Sequence, residues 1–455
     1  MSISLLSILI LAAMFLIATV LPVNMGALAL GGAFVLGVLV MGLSPSEVFA
    51  GFPGSLFLTI VGVTYLFAIA RNNGTIDKLV QGAVRLMGER TALIPWIMFG
   101  ITATITAVGA LSPAAVAIIA PIALSFAGRY KINPLLMGMM VVHGAQGGGF
   151  SPIAVYGVTV NTIVAEAGLD VSPTLVFLSS LVFNVLICVV LFIVFGGSKL
   201  RGGHVEEFAT AVSEARLKVS AGAKAATDVA YKGTGSGMYG PRDPAGDGTE
   251  SVKNTPFTFA QISTVLGLIA LAVVALGFKM DIGFVSITIA VILALISPNA
   301  QKGAINKISW STVLLLCGML TFVGVLEEAG TIEYVSNGVA GIGIPLLAAL
   351  LICYIGAIVS AFASSTAILA ALIPLAVPFL ASGQIGAAGV ICALAVASTI
   401  VDASPFSTNG ALVLANAPEG VDKDRFYRQI LIYSGIIIVV VPMVAWAAMV
   451  LPGWM

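Results

Sequence analysis

Two side chains able to titrate lie inside long apolar segments, Asp402 and His143, and each stands close to a Ser-Pro step. Asp402 comes two residues before Ser404 in Ser404-Pro405-Phe-Ser-Thr-Asn-Gly410. His143 lies one helical turn before Gly147-Gly148-Gly149, which leads into Ser151-Pro152-Ile-Ala-Val-Tyr-Gly157. The two segments share a Ser-Pro step followed by glycine at the same spacing, 253 positions apart. A carboxylate at the centre of a membrane costs about 2.5–3.5 kcal/mol on insertion scales, and such groups are usually functional. Asp402 can ligate a cation, accept a proton, or sit as a neutral acid satisfied by backbone; the first two together are the favoured reading. His143 can be a proton site or a neutral histidine hydrogen-bonded to a neighbouring helix.

Serine is a good helix N-cap, and proline fits the first helical position, where its missing N–H is not needed. Ser151 and Ser404 are therefore expected to open new half-helices in the middle of two spans, and Ser112-Pro113 repeats the pattern elsewhere. Helix N-termini carry about half a positive charge and free N–H donors, so several converging on one cavity make an anion site. Apart from Arg71 at the end of one, the predicted spans contain no lysine or arginine. A bound anion has to be held by dipoles, hydroxyls and accompanying cations. The carbonyls freed at Gln146-Gly147-Gly148-Gly149 suit a small hard cation such as sodium.

Composition sets the medium. The chain is 59% hydrophobic and 9% charged, with a mean hydropathy of +1.11, far from the roughly quarter-charged average of soluble domains. Apolar windows predict spans at about 4–20, 26–43, 55–71, 134–165 and 174–196, then 257–277, 282–297, 310–328, 385–417 and 430–451. Residues 5–20 lack the cationic start and cleavage site of a signal peptide and read as a true span. Two further pairs of limbs, 92–111 with 114–127 and 343–363 with 367–380, meet at short tips, Leu111-Ser112-Pro113 and Ser364-Ser365-Thr366. With no charged loop between the limbs, each reads as a re-entrant hairpin. Cys188, Cys317, Cys353 and Cys392 are scattered singly, without metal or disulfide spacing. Residues 197–255 form a polar, Gly-rich linker. Its Gly-rich run lacks the Lys-Ser/Thr ending of a phosphate loop, and His204 to Ala230 is a candidate surface helix.

Gly74-Thr75-Ile76-Asp77 recurs as Gly330-Thr331-Ile332-Glu333, an offset of 256, at which Ser55 and Gly62 also match Ser311 and Gly318. Pro121 and Pro374 then match at 253, as the Ser-Pro steps do. Matches in this order imply a duplication of five spans and one hairpin. An odd number of crossings requires the second copy to be inverted. With the linker cytoplasmic, Arg71, Lys78, Arg85, Arg90, Arg129, Lys131, Lys199, Arg201, Lys302, Lys307, Lys423, Arg425 and Arg428 all fall inside, and Lys279 alone falls outside, as the positive-inside rule requires. The outer loops carry Glu166, Asp170, Glu327, Glu328 and Glu333. The expectation is an all-α polytopic protein of about ten transmembrane helices and two hairpins, in the cell's inner (plasma) membrane, with both termini outside. The predicted units are 1–91 and 256–342 (scaffold spans), 92–196 and 343–455 (hairpins with broken spans), and the linker.

Paired hairpins, each followed by a broken span, resemble the divalent anion/sodium symporters of the ion transporter superfamily. The amino-terminal third, from Leu16-Ile-Ala-Thr-Val-Leu-Pro-Val-Asn-Met-Gly-Ala-Leu to the Gly147–Ser151 break, looks most like the MatC-type malonate and dicarboxylate carriers. The family's Ser-Asn-Thr tip, ten residues before a proline, is matched partly by Ser364-Ser365-Thr366 with Pro374 and weakly by Leu111-Ser112-Pro113 with Pro121. The resemblance implies a homodimer moving substrate by an elevator motion in the lipid bilayer. It also implies cation-coupled uptake of a small dicarboxylate such as malonate. Tips and breaks together nominate Ser112, Pro113, Ser151, Ser364, Ser365, Thr366, Ser404, Ser407, Thr408 and Asn409 for the substrate. Gly147, Gly148, Gly149, Asp402 and His143 are nominated for the cation, with sodium at Ser112/Gly148 and at Ser365/Asp402. A sodium/proton antiporter and an anion channel are the alternatives. No enzyme activity, organic cofactor or nucleic-acid partner is expected.

Overall fold

The computed structural model describes residues 2–21, 23–85, 91–197, 257–278, 280–340, 344–361, 365–381, 383, 385–418 and 420–453. The linker beyond residue 197, with its His204–Ala230 segment, lies outside the described residues, as do Ser364, Arg90, Lys199, Arg201 and Lys279. Among the described residues the fold is helical without strands, and eight helices are long and apolar enough to cross a membrane.

The first half runs α1 (Ile3–Val20), α2 (Met25–Ala33, continued by a wider turn at Phe34–Val40), α3 (Gly54–Asn72), α4 (Thr75–Arg85), α5 (Ile94–Ala107), α6 (Ser112–Arg129), α7 (Pro134–Gly149), α8 (Val155–Glu166) and α9 (Pro173–Val194). The second half runs α10 (Phe259–Ala272, continued by Val273–Gly277), α11 (Ile282–Ile296), α12 (Trp310–Glu328), α13 (Thr331–Ala340), α14 (Pro345–Ser360), α15 (Ser365–Ala381), α16 (Ala387–Ile400), α17 (Thr408–Ala415) and α18 (Lys423–Met449). Each predicted span has its helix. Both predicted broken spans are two helices, α7 with α8 and α16 with α17.

Burial sorts these helices. Residues 135–149 of α7 are all buried, as are residues 388–400 of α16, which marks the two as the centre of the molecule, because a helix apolar all round has no solvent face. On α9 the stripe Leu178, Val182, Leu186, Val190 and Ile193 is exposed, while Ser180, Asn184, Cys188 and Leu191 face inward. Apolar outside and polar inside is the arrangement that lipid selects.

Packing in one half has a counterpart in the other. Helix α5 packs on α7 and α14 on α16; α9 packs on α7 and α18 on α16; α3 crosses α11 and α12 crosses α2. The two crossings need glycine. A Cβ on Gly318 would fall on the Gly26 carbonyl and one on Gly26 on the Leu314 carbonyl, while a Cβ on Gly283 would come 2.8 Å from Thr59 N. Without a hydrophobic drive between helices in lipid, such close backbone approach supplies the packing. Gly26→Ala is expected to lower the apparent melting temperature of the purified protein, since overpacking costs about 1–3 kcal/mol. Gly31→Ala, on the same helix but facing open space, should leave it unchanged; equal melting of the two variants would contradict the crossing.

Candidate functional site

The two breaks are built alike. Helix α7 ends at Gly149, and after a turn α8 starts at Val155; α16 ends at Ile400, a short 3-10 turn covers Val401–Ala403, and α17 starts at Thr408. The Ser151 carbonyl accepts from Ala154 N at 2.8 Å, and the Ser404 carbonyl accepts from Ser407 N at 3.0 Å. A Cβ on Gly157 would fall on the Ser151 carbonyl, and one on Gly410 on the Ser404 carbonyl. The shared Ser-Pro-to-Gly spacing therefore records a backbone requirement. The serine turns the chain, and only a glycine six residues on lets the next half-helix lie against that turn.

This corrects the expected capping. Ser151 and Ser404 do not cap the half-helices; Ala154 and Ser407 occupy those positions, and the Ser407 hydroxyl accepts from Gly410 N at 3.3 Å. The turn needs three more residues than a simple cap. At the first hairpin Leu111 takes the cap position, with Ser112 and Pro113 in the first turn of α6. Proline there still sacrifices no intrahelical bond.

Each break meets the hairpin of the other half. Asn409 Nδ2 donates to Ser112 Oγ at 2.8 Å, and the side chain of Tyr156, at the position equivalent to Asn409, pairs with that of Thr366. Ser404 Oγ also donates to the Ala361 carbonyl at 3.3 Å, while Ser360 and Ser365 pair across the second hairpin at 2.8 Å. The N-terminal turns of α6, α8, α15 and α17 thus come together in the centre, which concentrates positive helix ends in one place.

The second break holds the charge. Asp402 is buried in the 3-10 turn, and its Oδ2 accepts from Asn409 Nδ2 at 2.9 Å and from Gln146 Nε2, on α7, at 3.2 Å. Ser407 Oγ donates to the Asp402 carbonyl at 2.5 Å and to the Ser404 carbonyl at 2.6 Å. Of the remaining nominated residues, Ser151 is buried in the first turn and Thr408 is exposed at the start of α17.

Gly148 and His143 have other employment. The Gly148 carbonyl accepts from both Phe150 N and Ser151 N. A Cβ on Gly148 would strike the Ala103 carbonyl; the glycines seat α7 on α5, with Gly147 and Gly149 packed against Leu181 and Tyr156. Ser365 pairs with Ser360, and Asp402 with Gln146 and Asn409. His143 Nδ1 lies 2.8 Å from Asn184 Oδ1 and Nε2 lies 2.5 Å from Tyr433 Oη. Asn184 Nδ2 donates to Ser180 O, which leaves Asn184 Oδ1 as acceptor. His143 then carries a proton on Nδ1, assigned from its partners, and it ties α7 to α9 and α18.

Sequence reasoning missed the side chains of Gln146, Tyr156, Asn184 and Tyr433. Tyr156 was signalled by its register with Asn409; the others are single polar residues in apolar runs.

Interrupted helices that meet the starts of α6 and α15 in an all-helical membrane protein are an arrangement that many secondary transporters use. Residues 1–149 match the family model for the dicarboxylate carrier protein MatC N-terminus. Among solved structures, the Alcanivorax borkumensis YdaH transporter, whose crystal structure is described as having an unusual topology, aligns with a TM-score of 0.55 over 92% of this chain and 90% of that chain, at 13% identity. No curated protein sequence matches the chain. The chain is a multi-pass, all-helical membrane protein whose first third resembles the MatC dicarboxylate carriers.

If the Ser112–Asn409 contact is as described, cysteines at the two positions, in a background lacking Cys188, Cys317, Cys353 and Cys392, should form a disulfide under mild oxidation. A pair at Ser112 and Gly435 should not. Absence of the first cross-link in folded protein would contradict the contact between tip and break.

Proposed function

We propose that this protein is a secondary active transporter that takes up a small dicarboxylate, such as malonate or a C4-dicarboxylate, together with sodium ions or protons. The observation that carries this reading is the convergence of four helix N-termini, from two hairpins and two breaks, around a buried carboxylate. The positive ends of these helices favour a dianion. Asp402 offers a place for the cation that must accompany it.

Energetics require that cation. Moving a dianion inward against about 100 mV opposes about 2.3 kcal/mol per charge, and each monovalent cation carried inward returns as much. Two cations cancel the voltage penalty. Asp402 is the sole buried carboxylate among the described residues, which favours a symporter over an antiporter with paired carboxylates.

In this reading the two halves are inverted repeats. Each has five spans, one of them broken, and a hairpin whose tip stops at the depth of the break. The linker is cytoplasmic and both termini are outside, in the inner (plasma) membrane. The α2–α12 and α3–α11 crossings hold the scaffold of a homodimer. Hairpins, broken spans, α9 and α18 form the unit that moves as an elevator. A cavity of about 60 Å³ beside the first hairpin tip is lined by Arg71, Lys307, Ser309 and Leu111, and its two positive side chains favour an anion near the tip.

The test is counterflow in proteoliposomes. Internal malonate should stimulate uptake of labelled malonate, and short dicarboxylates should compete. Asp402→Asn should reduce gradient-driven uptake about 10- to 100-fold, as expected for loss of hydrogen bonds to a charged group worth about 1.5–3 kcal/mol. Uptake without trans-stimulation would contradict a carrier mechanism.

A further inference from the structure

We propose that the groove between α9 and α18 is the seat of one anionic phospholipid, with its acyl chains in the groove and its phosphate at Lys131. Helices α9 and α18 both pack on α7 and α16. Between them lies an apolar cavity of about 880 Å³, walled from Leu175 to Phe195 on α9 and from Gln429 to Met449 on α18. About twenty residues of helix span about 30 Å, the hydrocarbon thickness of a bilayer. The rim is exposed at Leu186 and Val190 on one side and at Ile432, Ile436 and Val440 on the other. A contiguous apolar surface of this length needs an apolar cover.

One end of the groove says which cover. A second cavity, of about 520 Å³, opens where α9 ends and the chain enters α18, and Phe195 lines both. Its walls are different, with Lys131, Asn133 and the glycines Gly128, Gly196 and Gly420. Among the described residues that line it, Lys131 carries the only charge. Arg425 is exposed one helical turn before Gln429, on the α18 stripe that continues through Ile432 and Ile436, and adds a second positive charge at this end. Basic pockets between membrane helices are where anionic lipid head groups bind. A free anion would leave the groove uncovered, and a zwitterionic lipid would bring its own cation toward Lys131. Acyl chains joined to an anionic head group match both cavities at once.

The backbone of Lys131 points the same way. Lys131 is the one described residue other than glycine with a positive φ, 51°. That left-handed conformation is unfavourable for a residue with a Cβ, and glycine would make the turn from α6 to α7 without strain. A lysine held there is explained by what its ammonium binds. The lipid also reaches the core, because Tyr433 lines the groove and its hydroxyl meets His143 Nε2 at 2.5 Å. An acyl chain on that ring would support the contact that holds α7 in place.

The experiment follows thermal melting of the purified protein in detergent with added phosphatidylglycerol or phosphatidylcholine of the same acyl chains, with native mass spectrometry to count retained lipids. Phosphatidylglycerol should raise the apparent melting temperature and stay on as one lipid per chain, and phosphatidylcholine should do neither. Without lipid, Lys131→Gly should melt no lower than wild type, since it relieves the positive φ. It should nonetheless need about fivefold more phosphatidylglycerol for half the effect, the factor that one basic residue contributes at an anionic membrane surface. Val190→Trp, which fills the groove from its rim, should weaken the lipid's effect with Lys131 intact. Equal stabilisation by the two lipids would overturn the proposal, as would an unchanged phosphatidylglycerol requirement in Lys131→Gly. So would retention of a second copy of the chain in place of lipid, released by Val190→Trp. No step uses transport, so the result is independent of the counterflow test.

Discussion

A helix interrupted inside an apolar medium releases backbone donors and acceptors that water cannot reach, and each one left unpaired costs several kcal/mol. Two spans of this chain are interrupted in that way. At each break the serine carbonyl accepts the N–H three residues on, and the next half-helix is drawn in until its glycine touches that carbonyl. The breaks also reach the tips through side chains: Ser404 Oγ donates to the Ala361 carbonyl, Asn409 Nδ2 to Ser112 Oγ, and the Tyr156 and Thr366 side chains pair. These contacts tie each break to the tips beside it.

Matching backbones carry unequal chemistry. At the positions equivalent by the 253-residue offset, Gly149 stands for Asp402 and Tyr156 for Asn409. The first break contributes close packing and a helix end. The second contributes a carboxylate whose partners, Gln146 and Asn409, come from both halves of the chain. Beside it the His143–Asn184–Tyr433 chain fixes α7 between α9 and α18, which keeps Gln146 aimed at Asp402. In an elevator carrier this group would move together.

Much of this was legible in the sequence because hydrophobic period and length are local properties. The windows at 134–165 and 385–417 anticipate α7 with α8 and α16 with α17, and the tips at Ser112 and Ser365 fall where the helices begin. Capping was misplaced at Ser151 and Ser404 because a Ser-Pro step reads the same whether it starts a helix or a turn that precedes one. The Gly147–Gly149 run was read as a cation cradle, yet Gly148 is small because Ala103 lies against it. Gln146 escaped notice since a lone amide does not announce a partner 256 residues away. Ser364 lies outside the described residues.

Accumulation tests most directly the proposed role of buried Asp402 in coupling a cation to a dianion. Proteoliposomes holding the purified carrier should concentrate labelled malonate or succinate above the external level when an inward sodium or proton gradient is imposed, and collapse of that gradient should release it. Equilibration to the external concentration, with the same final level whatever cation gradient is present, would contradict coupled transport.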